Sequence, residues 1–395
     1  MTQAHVKQKT PLNTEALSRV TAIMRRSFDL EKIHQDAHGV SVTVGDDTAV
    51  AELELTLKQV LQTCRYAVGD TLFRRAVSPS SVSDPQPSLE AKGEVQSIGP
   101  GLFAFRGDFL RVRTALDMKI KSLAYRFGAD ELSYPPLWPV SLLQEINYFH
   151  DFPQLVLVPS GVKSDYQARS AFADRFRKGS GNTVIACSAE NGFAPAQHAL
   201  APTVCDCCYW LLRNRRDVSN ELFTIHGQVF RNESSLDGRL DRLTVYTMRE
   251  IVMVGHENYV LEKRNDLLDE VARLIVDLDL ACIVKAADDP FFCNDALQKS
   301  AFQNFAQLKY EVEVPLFGDR TTAVASINLH NDFFSKSYDY EDTNSKNCYS
   351  ACLGFGYERL AYALFCRHGA ELGVWPESVI DYLGLLKSDS TSFDG

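Results

Sequence analysis

The residues best suited to chemistry flank a hairpin between two predicted strands. The run Phe230-Arg231-Asn232-Glu233 ends the first strand, and the second strand follows Arg242 and contains Arg249 and Glu250. An arginine side chain can hold two phosphate oxygens at once, and a nearby carboxylate can accept a hydrogen bond from an amine. The pattern therefore suits a polyphosphate ligand, although a solvated hairpin with surface ion pairs would have the same composition.

A second candidate is a pair of glycines that leads into a predicted helix over 357–367. Gly354 and Gly356 precede Arg359, which falls in the first turn of that helix. A helix N-terminus attracts anions, and an arginine there adds positive charge. The alternative is a tight packing turn between a strand and a helix, because a Gly-x-Gly pair is a weak signal by itself.

A third candidate is the cysteine-rich segment that contains Cys205, Cys207 and Cys208. Together with Glu250 and Cys352, such thiols could bind Zn²⁺ through three protein ligands and leave one coordination position open. The residues are far apart in the chain, so their spacing cannot establish a metal site. Buried free cysteines are the alternative, since thiols of a reducing compartment rarely form disulfides.

The elements that would position these residues are paired strands with helices between them. Hydrophobic periodicity predicts strands over 223–230, 243–248, 312–316 and 322–329, and helices over 258–280 and 357–367. This order indicates an α+β domain built on an antiparallel sheet. The serine- and proline-rich run over 78–88 marks a loop or linker, either between domains or within one. We predict an N-terminal extension over 1–110 and a catalytic domain over 111–395.

Composition narrows the functional classes. The chain has 395 residues and a net charge of −10, and an acidic chain is repelled by nucleic acids. No apolar run approaches the roughly 18 residues of a membrane-spanning helix, and the first residues do not read as a secretory signal. We therefore expect a cytoplasmic protein that does not bind membranes.

The segments together resemble class II aminoacyl-tRNA synthetases. Residues 230–233 with 248–250 resemble their motif 2, and residues 354–359 resemble motif 3. The proline-rich stretch over 134–139 and the helix after it lie where motif 1 would build a dimer interface. The resemblance implies a class II synthetase-like antiparallel sheet flanked by helices, and a homodimer.

A finer resemblance is to amino acid:[carrier protein] ligases, which are truncated relatives of the atypical archaeal seryl-tRNA synthetases. The segments that carry it lie at 200–209, 289–292, 309–311, 326–334 and 352–359. It covers about residues 115–380 and does not account for residues 1–100.

The resemblance implies a role for each residue of the arginine-rich segments. Arg231 would hold the α-phosphate of ATP, Glu233 would bind the adenine amino group, and Arg359 would hold the γ-phosphate. Arg242 and Arg249 would contribute to ATP binding from the hairpin.

It also implies two metal sites. Cys205, Glu250 and Cys352 would bind Zn²⁺, whose open position takes the substrate's α-amino group, and Cys207 or Cys208 could replace Cys205. Asn328 would lie in the ATP site. Glu311 would hold Mg²⁺ there, with Glu313 as the alternative.

The implied reaction has two steps. ATP activates a small amino acid as an aminoacyl-adenylate, and the phosphopantetheine thiol of an acyl or peptidyl carrier protein then displaces AMP. A tRNA partner is not expected, because no basic arm is visible in the first 100 residues. The alternatives are an aminoacyl-tRNA synthetase or another adenylate-using transferase, and a catalytically silent homologue.

Overall fold

The computed structural model describes residues 2–7, 12, 17, 20–21, 24–25, 28–36, 38–45, 49–66, 71–77, 83–178, 181, 185, 187–233, 236–287, 289 and 308–385. Two predicted features, Ser234 in the hairpin and most of the 289–292 segment, lie outside these residues.

The strands of the described residues, in chain order, are β1 (Thr2–Lys7), β2 (Leu30–Gln35), β3 (Gly39–Val44), β4 (Thr71–Arg75), β5 (Val95–Gly99), β6 (Leu102–Phe105), β7 (Asp130–Leu132), β8 (Leu137–Pro139), β9 (His198–Leu200), β10 (Glu221–Phe230), β11 (Val245–Gly255), β12 (Cys282–Ala286), β13 (Lys309–Pro315), β14 (Thr321–Asn331) and β15 (Tyr349–Gly356).

The helices are α1 (Val50–Tyr66), α2 (Gln86–Ala91), α3 (Gly107–Arg126), α4 (Val140–Glu145), α5 (Tyr148–Asp151), α6 (Tyr166–Arg175), α7 (Asp206–Leu211), α8 (Glu257–Asp277), α9 (Phe333–Tyr338), α10 (Tyr357–His368) and α11 (Glu377–Leu383), with 3₁₀ turns at Pro153–Leu155 and Leu372–Val374. Among the helices that the structure describes, none is long and apolar enough to cross a bilayer.

One large sheet organises the molecule. Its strand order in the described residues is β4-β12-β13-β14-β15-β11-β10-β7. Each neighbouring pair is antiparallel except β10 with β7 at one edge, which is parallel. The predicted α+β class with an antiparallel sheet is therefore confirmed.

The central strand β11 is buried on both faces of the sheet. Ile251 and Met253 pack into one core with α3, α8, α10 and α11, whereas Val252 and Val254 pack into a second core with α4, α7 and α9. This explains the unbroken apolar run Ile-Val-Met-Val, because a strand covered on both faces has no solvent side to alternate with. The alternation also decides which side of the sheet each polar residue of β11 faces.

The residues before position 110 contribute to two separate hydrophobic cores. The sheet β1-β3-β2 and helix α1 share a small core of their own, which includes Val42 and Leu57. Strand β4, in contrast, pairs with β12 as the edge of the large sheet, and Leu89 and Val95 are buried in its core. The described residues of β4 and those around Leu89 and Val95, all before the predicted boundary at residue 110, thus pair or pack with the large sheet.

The serine- and proline-rich run over 78–88 is also attached to the large domain where the structure describes it. Its residues 78–82 lie outside the described part of the chain, but Asp84 is anchored to the large domain. Tyr362 Oη donates a hydrogen bond to Asp84 Oδ1 at 2.6 Å, and Arg239 pairs with the same carboxylate. The described half of the run belongs to one domain and is not a linker between two.

Candidate active site

A cleft of about 1350 Å³ opens over one face of the large sheet. Its walls come from β11, β13, β14 and β15, from the start of α7, and from the hairpin between β10 and β11. All the predicted site residues except Arg249 line this cleft, namely Cys205, Arg231, Glu233, Arg242, Glu250, Glu311, Asn328, Cys352 and Arg359. Segments that are distant in sequence thus meet in one place.

The cysteine and glutamate side chains converge as the metal hypothesis requires. Donor atoms of Cys205, Glu250 and Cys352 all lie within 4.8 Å of one another, and all three residues are buried. Cys205 stands at the start of α7, while the other two come from neighbouring strands β11 and β15. Cys207 and Cys208 are buried in α7 but do not belong to this group.

Two observations are compatible with a cation at this group. Glu250 Oε2 is buried and has no hydrogen-bond partner, which is costly for a carboxylate oxygen. Gly354 lies opposite Glu250 in the strand pairing, and a Cβ there would come within 3.0 Å of Met248 Cε and 3.3 Å of Glu250 Cγ. The missing side chain keeps the space beside the carboxylate open.

The pKa shifts in this group are also compatible with a bound cation. A hydrogen bond to Cys352 and burial raise the pKa of Cys205 well above its usual value, and burial raises the pKa of Glu250. Three groups that would be anions are thus held close together in a buried site. A bound cation would reverse these shifts and favour the thiolate and carboxylate forms.

Cys352 has two further polar neighbours from β14. Asn328 Nδ2 donates to Cys352 Sγ at 3.5 Å, and His330 Nε2 lies 3.8 Å from the same sulfur. Burial lowers the pKa of His330 to about 4, so its ring is neutral at physiological pH. Asn328 therefore lies beside the candidate metal ligands, and no role for His330 was predicted from the sequence.

Arg231 and Arg359 meet on one aromatic ring. Their guanidinium carbons lie 5.7 Å and 5.5 Å from the centroid of the Tyr246 ring. Arg231 Nε also donates to the carbonyl of Pro202 at 3.0 Å. Both arginines line the cleft beside this ring, and their positive charge would attract an anion. Tyr246 was missed in the sequence, where it is one aromatic residue among many.

The other charged residues that are predicted to bind ATP or Mg²⁺ also line the cleft. Arg242 Nη1 and Glu233 Oε2 are 4.0 Å apart. Glu311 and Glu313 project from the same face of β13, and each carboxylate pairs with a lysine: Lys309 at 3.1 Å and Lys285 at 3.2 Å respectively.

Arg249 is the exception, because it is not among the residues that line the cleft. Its side chain is only 2% exposed and lies on the opposite side of the sheet, where Nε donates to Asp117 at 2.6 Å and Nη1 donates to Glu131 at 3.1 Å. Neighbouring residues of a strand face opposite sides, so Arg249 and Glu250 cannot both reach the cleft. Arg249 stabilises the packing of α3 and β7 on the sheet.

The N-terminal unit also reaches the cleft. Thr21 and Arg25 belong to its lining. Part of the region that the sequence left without a role thus borders the candidate site.

Comparisons with known proteins found relatives in sequence and in fold. No protein-family model matches the chain. Amino acid–[acyl-carrier-protein] ligase 1 of Bradyrhizobium diazoefficiens is 31% identical over 321 residues, which covers 78% of this chain and 95% of the relative. Ligase 2 of the same organism is 31% identical over 265 residues, covering 66% and 77%.

Among solved structures, the seryl-tRNA synthetase of Methanopyrus kandleri, in complex with the tRNASec of A. aeolicus, has a TM-score of 0.68 at 17% identity. The match covers 96% of this chain and 76% of that one. At this identity the likeness concerns the fold, which is that of a class II synthetase.

Proposed function

Because the chain belongs to the amino acid–[acyl-carrier-protein] ligase family, we propose that it activates a small amino acid with ATP in the cytoplasm and transfers it to the phosphopantetheine thiol of a carrier protein. The observation that carries the proposal is the layout of the cleft face of β11. Tyr246, Met248 and Glu250 follow one another there, so Tyr246, which contacts the two arginines, and Glu250 are about 13 Å apart along the strand at 3.3 Å per residue. One end suits phosphates and the other suits an amino acid.

Cys205, Glu250 and Cys352 would hold Zn²⁺. Two thiolates and one carboxylate are ordinary zinc ligands, and three protein ligands leave one position open. The unpartnered Glu250 Oε2 and the space opposite it at Gly354 support this assignment. When bound, the ion would offer a Lewis-acid position to the α-amino group and thereby exclude acids that lack an amine.

The arginines would serve the first chemical step. An oxygen of the substrate carboxylate attacks the α-phosphorus of ATP, and pyrophosphate leaves. Arg231 and Arg359 would hold phosphate oxygens and stabilise the negative charge that develops on them, so catalysis is mainly positioning and electrostatics. Tyr246 supports this role because its ring contacts both guanidinium groups.

The other polar residues would complete the nucleotide site. Glu233 would accept a hydrogen bond from the adenine amino group, and Arg242 lies beside it. Glu311 would share Mg²⁺ with the phosphates, with Glu313 as the alternative on the same face of β13. Asn328 would act where ATP and the amino acid meet, because its amide already contacts Cys352.

The second step would need no nucleophile from the protein. The carrier thiol attacks the acyl carbon of the adenylate, a thioester forms, and AMP leaves with the bonding electrons. A homodimer would form through the region over 134–149, which light scattering on the purified protein would test.

One observation favours a second candidate, an aminoacyl-tRNA synthetase. The structural match to a seryl-tRNA synthetase extends over 96% of this chain and so includes most of the N-terminal unit. The net charge of −10 argues against it, because tRNA binding depends strongly on phosphate contacts.

A competition between acceptors tests the proposal. The protein is incubated with ATP, Mg²⁺ and labelled glycine or alanine in the presence of phosphopantetheinylated acyl carrier protein, the same carrier without its arm, or total tRNA. We expect label on the phosphopantetheinylated carrier alone. Label on tRNA and none on the carrier would establish the second candidate instead.

A further inference from the structure

His330 lies at an irregularity in β14. The pairing of β14 with β15 runs in register from Ala325 to Leu329 and then shifts before Asn331, so His330 has no partner residue on β15. Asn331 has a left-handed backbone with φ of 50°. Bulges of this kind re-aim a side chain and are frequent beside active sites. His330 is two residues from Asn328, which pairs with Cys352, so the alternation of the strand already places its side chain on the face that carries Cys352.

The ring is held firmly in this orientation. Tyr209 stacks on Phe334 with centroids 3.8 Å apart, and His330 packs its edge against both rings, 5.6 Å and 5.0 Å away. These contacts fix the two ring nitrogens at separate neighbours. Nδ1 lies 3.2 Å from the hydroxyl of Tyr209, and Nε2 lies 3.8 Å from Cys352 Sγ.

Both ring nitrogens have polar neighbours. Ser350 Oγ lies 3.5 Å from Nδ1, beside the Tyr209 hydroxyl, whereas Cys352 Sγ is the neighbour of Nε2. A hydroxyl can donate or accept, so the Nδ1 contacts are compatible with hydrogen on either ring nitrogen. In both cases Nε2 faces the sulfur.

We infer that His330 is a positioning residue whose Nε2 atom holds the Cys352 sulfur in the orientation in which it binds the metal. The inference rests on the metal site of the proposed function. Partners behind the ligands of a metal commonly govern its affinity, and a thiolate can only accept, so Nε2–H would be the donor when the metal is bound. His330 itself does not belong to the group of converging donor atoms.

Metal binding by the full-length protein tests this role. Metal-free protein is titrated with Co²⁺, whose thiolate charge-transfer absorption reports on the cysteine sulfurs, at several pH values. The variants are His330→Leu, which removes the donor, His330→Gln, whose amide can place an N–H near the position of Nε2, and Tyr209→Phe, which removes the hydroxyl that orients the ring. Circular dichroism and urea unfolding check the fold of each.

We expect His330→Leu to bind Co²⁺ at least about 10-fold more weakly. Its charge-transfer band should move to longer wavelength, because a thiolate without the hydrogen bond is a stronger electron donor, and the pH midpoint of binding should rise. His330→Gln should restore all three properties to near wild type, and Tyr209→Phe should lie between them. Should the leucine variant fail to fold, the glutamine and phenylalanine variants still give the comparison.

The contrary outcomes are distinct. Failure of the wild-type protein to bind Co²⁺ with a thiolate band would overturn both the metal site and this inference. Wild-type binding with an unchanged band and pH midpoint in His330→Leu would overturn the inference alone and leave the proposed metal site standing. The same holds if binding weakens but the glutamine variant behaves like the leucine variant, since that indicates a purely structural role.

Discussion

Replacement of Glu250 by glutamine should have opposite consequences for the metal-free and the zinc-loaded protein. In the metal-free protein Glu250 is 4% exposed, its Oε2 has no hydrogen-bond partner, and burial raises its pKa. Glutamine keeps the shape and removes the charge. We therefore expect the metal-free variant to have a free energy of unfolding equal to that of wild type to within about 1 kcal/mol, or higher.

The zinc-loaded protein should respond in the other direction. The three donor atoms lie within 4.8 Å of one another, and two unit negative charges at that distance repel each other by about 3.5 kcal/mol at an effective dielectric constant of about 20. A dication offsets this repulsion, and a neutral amide in place of the carboxylate removes much of its attraction. We expect zinc affinity to fall at least about 100-fold, which corresponds to about 2.7 kcal/mol less stabilisation by saturating zinc.

Urea unfolding of both proteins, with zinc and with a chelator, measures the two effects. Zinc content and competition with a chromophoric chelator give the affinity. Equal stabilisation of wild type and Glu250→Gln by zinc would refute the assignment of Glu250 as a ligand. A large loss of stability in the metal-free variant would refute the view that the carboxylate is poorly satisfied there.

Three further predictions follow from the same geometry. Burial raises the pKa of Glu250, so this group stabilises the metal-free protein below its unfolded pKa of about 4.3, and the stabilisation is lost as pH rises through the folded pKa. The extra stability conferred by zinc, measured as the shift in Tm, should therefore grow from pH 5 to pH 8. A constant shift in Tm over this range would contradict this prediction. Arg249→Met should lower the free energy of unfolding by about 1–3 kcal/mol, because Asp117 and Glu131 lose a buried partner but are partly exposed and keep contacts with Tyr357 and with Lys121. The KM for ATP of the folded enzyme should stay within about 3-fold of wild type, and the reverse result would return Arg249 to the ATP site. Arg359→Ala should reduce kcat/KM for adenylate formation by at least about 100-fold with little change in Tm, and an active variant would remove this residue from the phosphate site.

Much of the sheet could be predicted from periodicity. The strands expected over 223–230 and 322–329 correspond to β10 (Glu221–Phe230) and β14 (Thr321–Asn331), and the helix expected over 357–367 is α10, which ends at His368 before a glycine with φ of 94°. These elements carry strong local signals, namely apolar spacing and a helix stop. β4 carries no such signal, because its place at the edge of the large sheet depends on pairing with β12, far along the chain.

The sequence indicates the site residues best where they belong to a recognisable motif. It indicates them worst where the course of the backbone determines which side chain faces the cleft. The period of two along a strand already separates Arg249 from Glu250, so the sequence itself places only one of them on the cleft face. The choice of Cys205 over Cys207 and Cys208 depends on where α7 begins, and the contact of His330 with Cys352 depends on how β14 pairs with β15. Neither feature is visible in composition or spacing.

Amino-acid-dependent exchange of pyrophosphate into ATP, measured across the common amino acids on protein of known zinc content, tests the central claim most directly. We predict exchange with a small amino acid such as glycine or alanine, lost in Arg359→Ala and in Cys205→Ser. Folded, zinc-loaded protein that exchanges pyrophosphate with none of the amino acids would contradict the account.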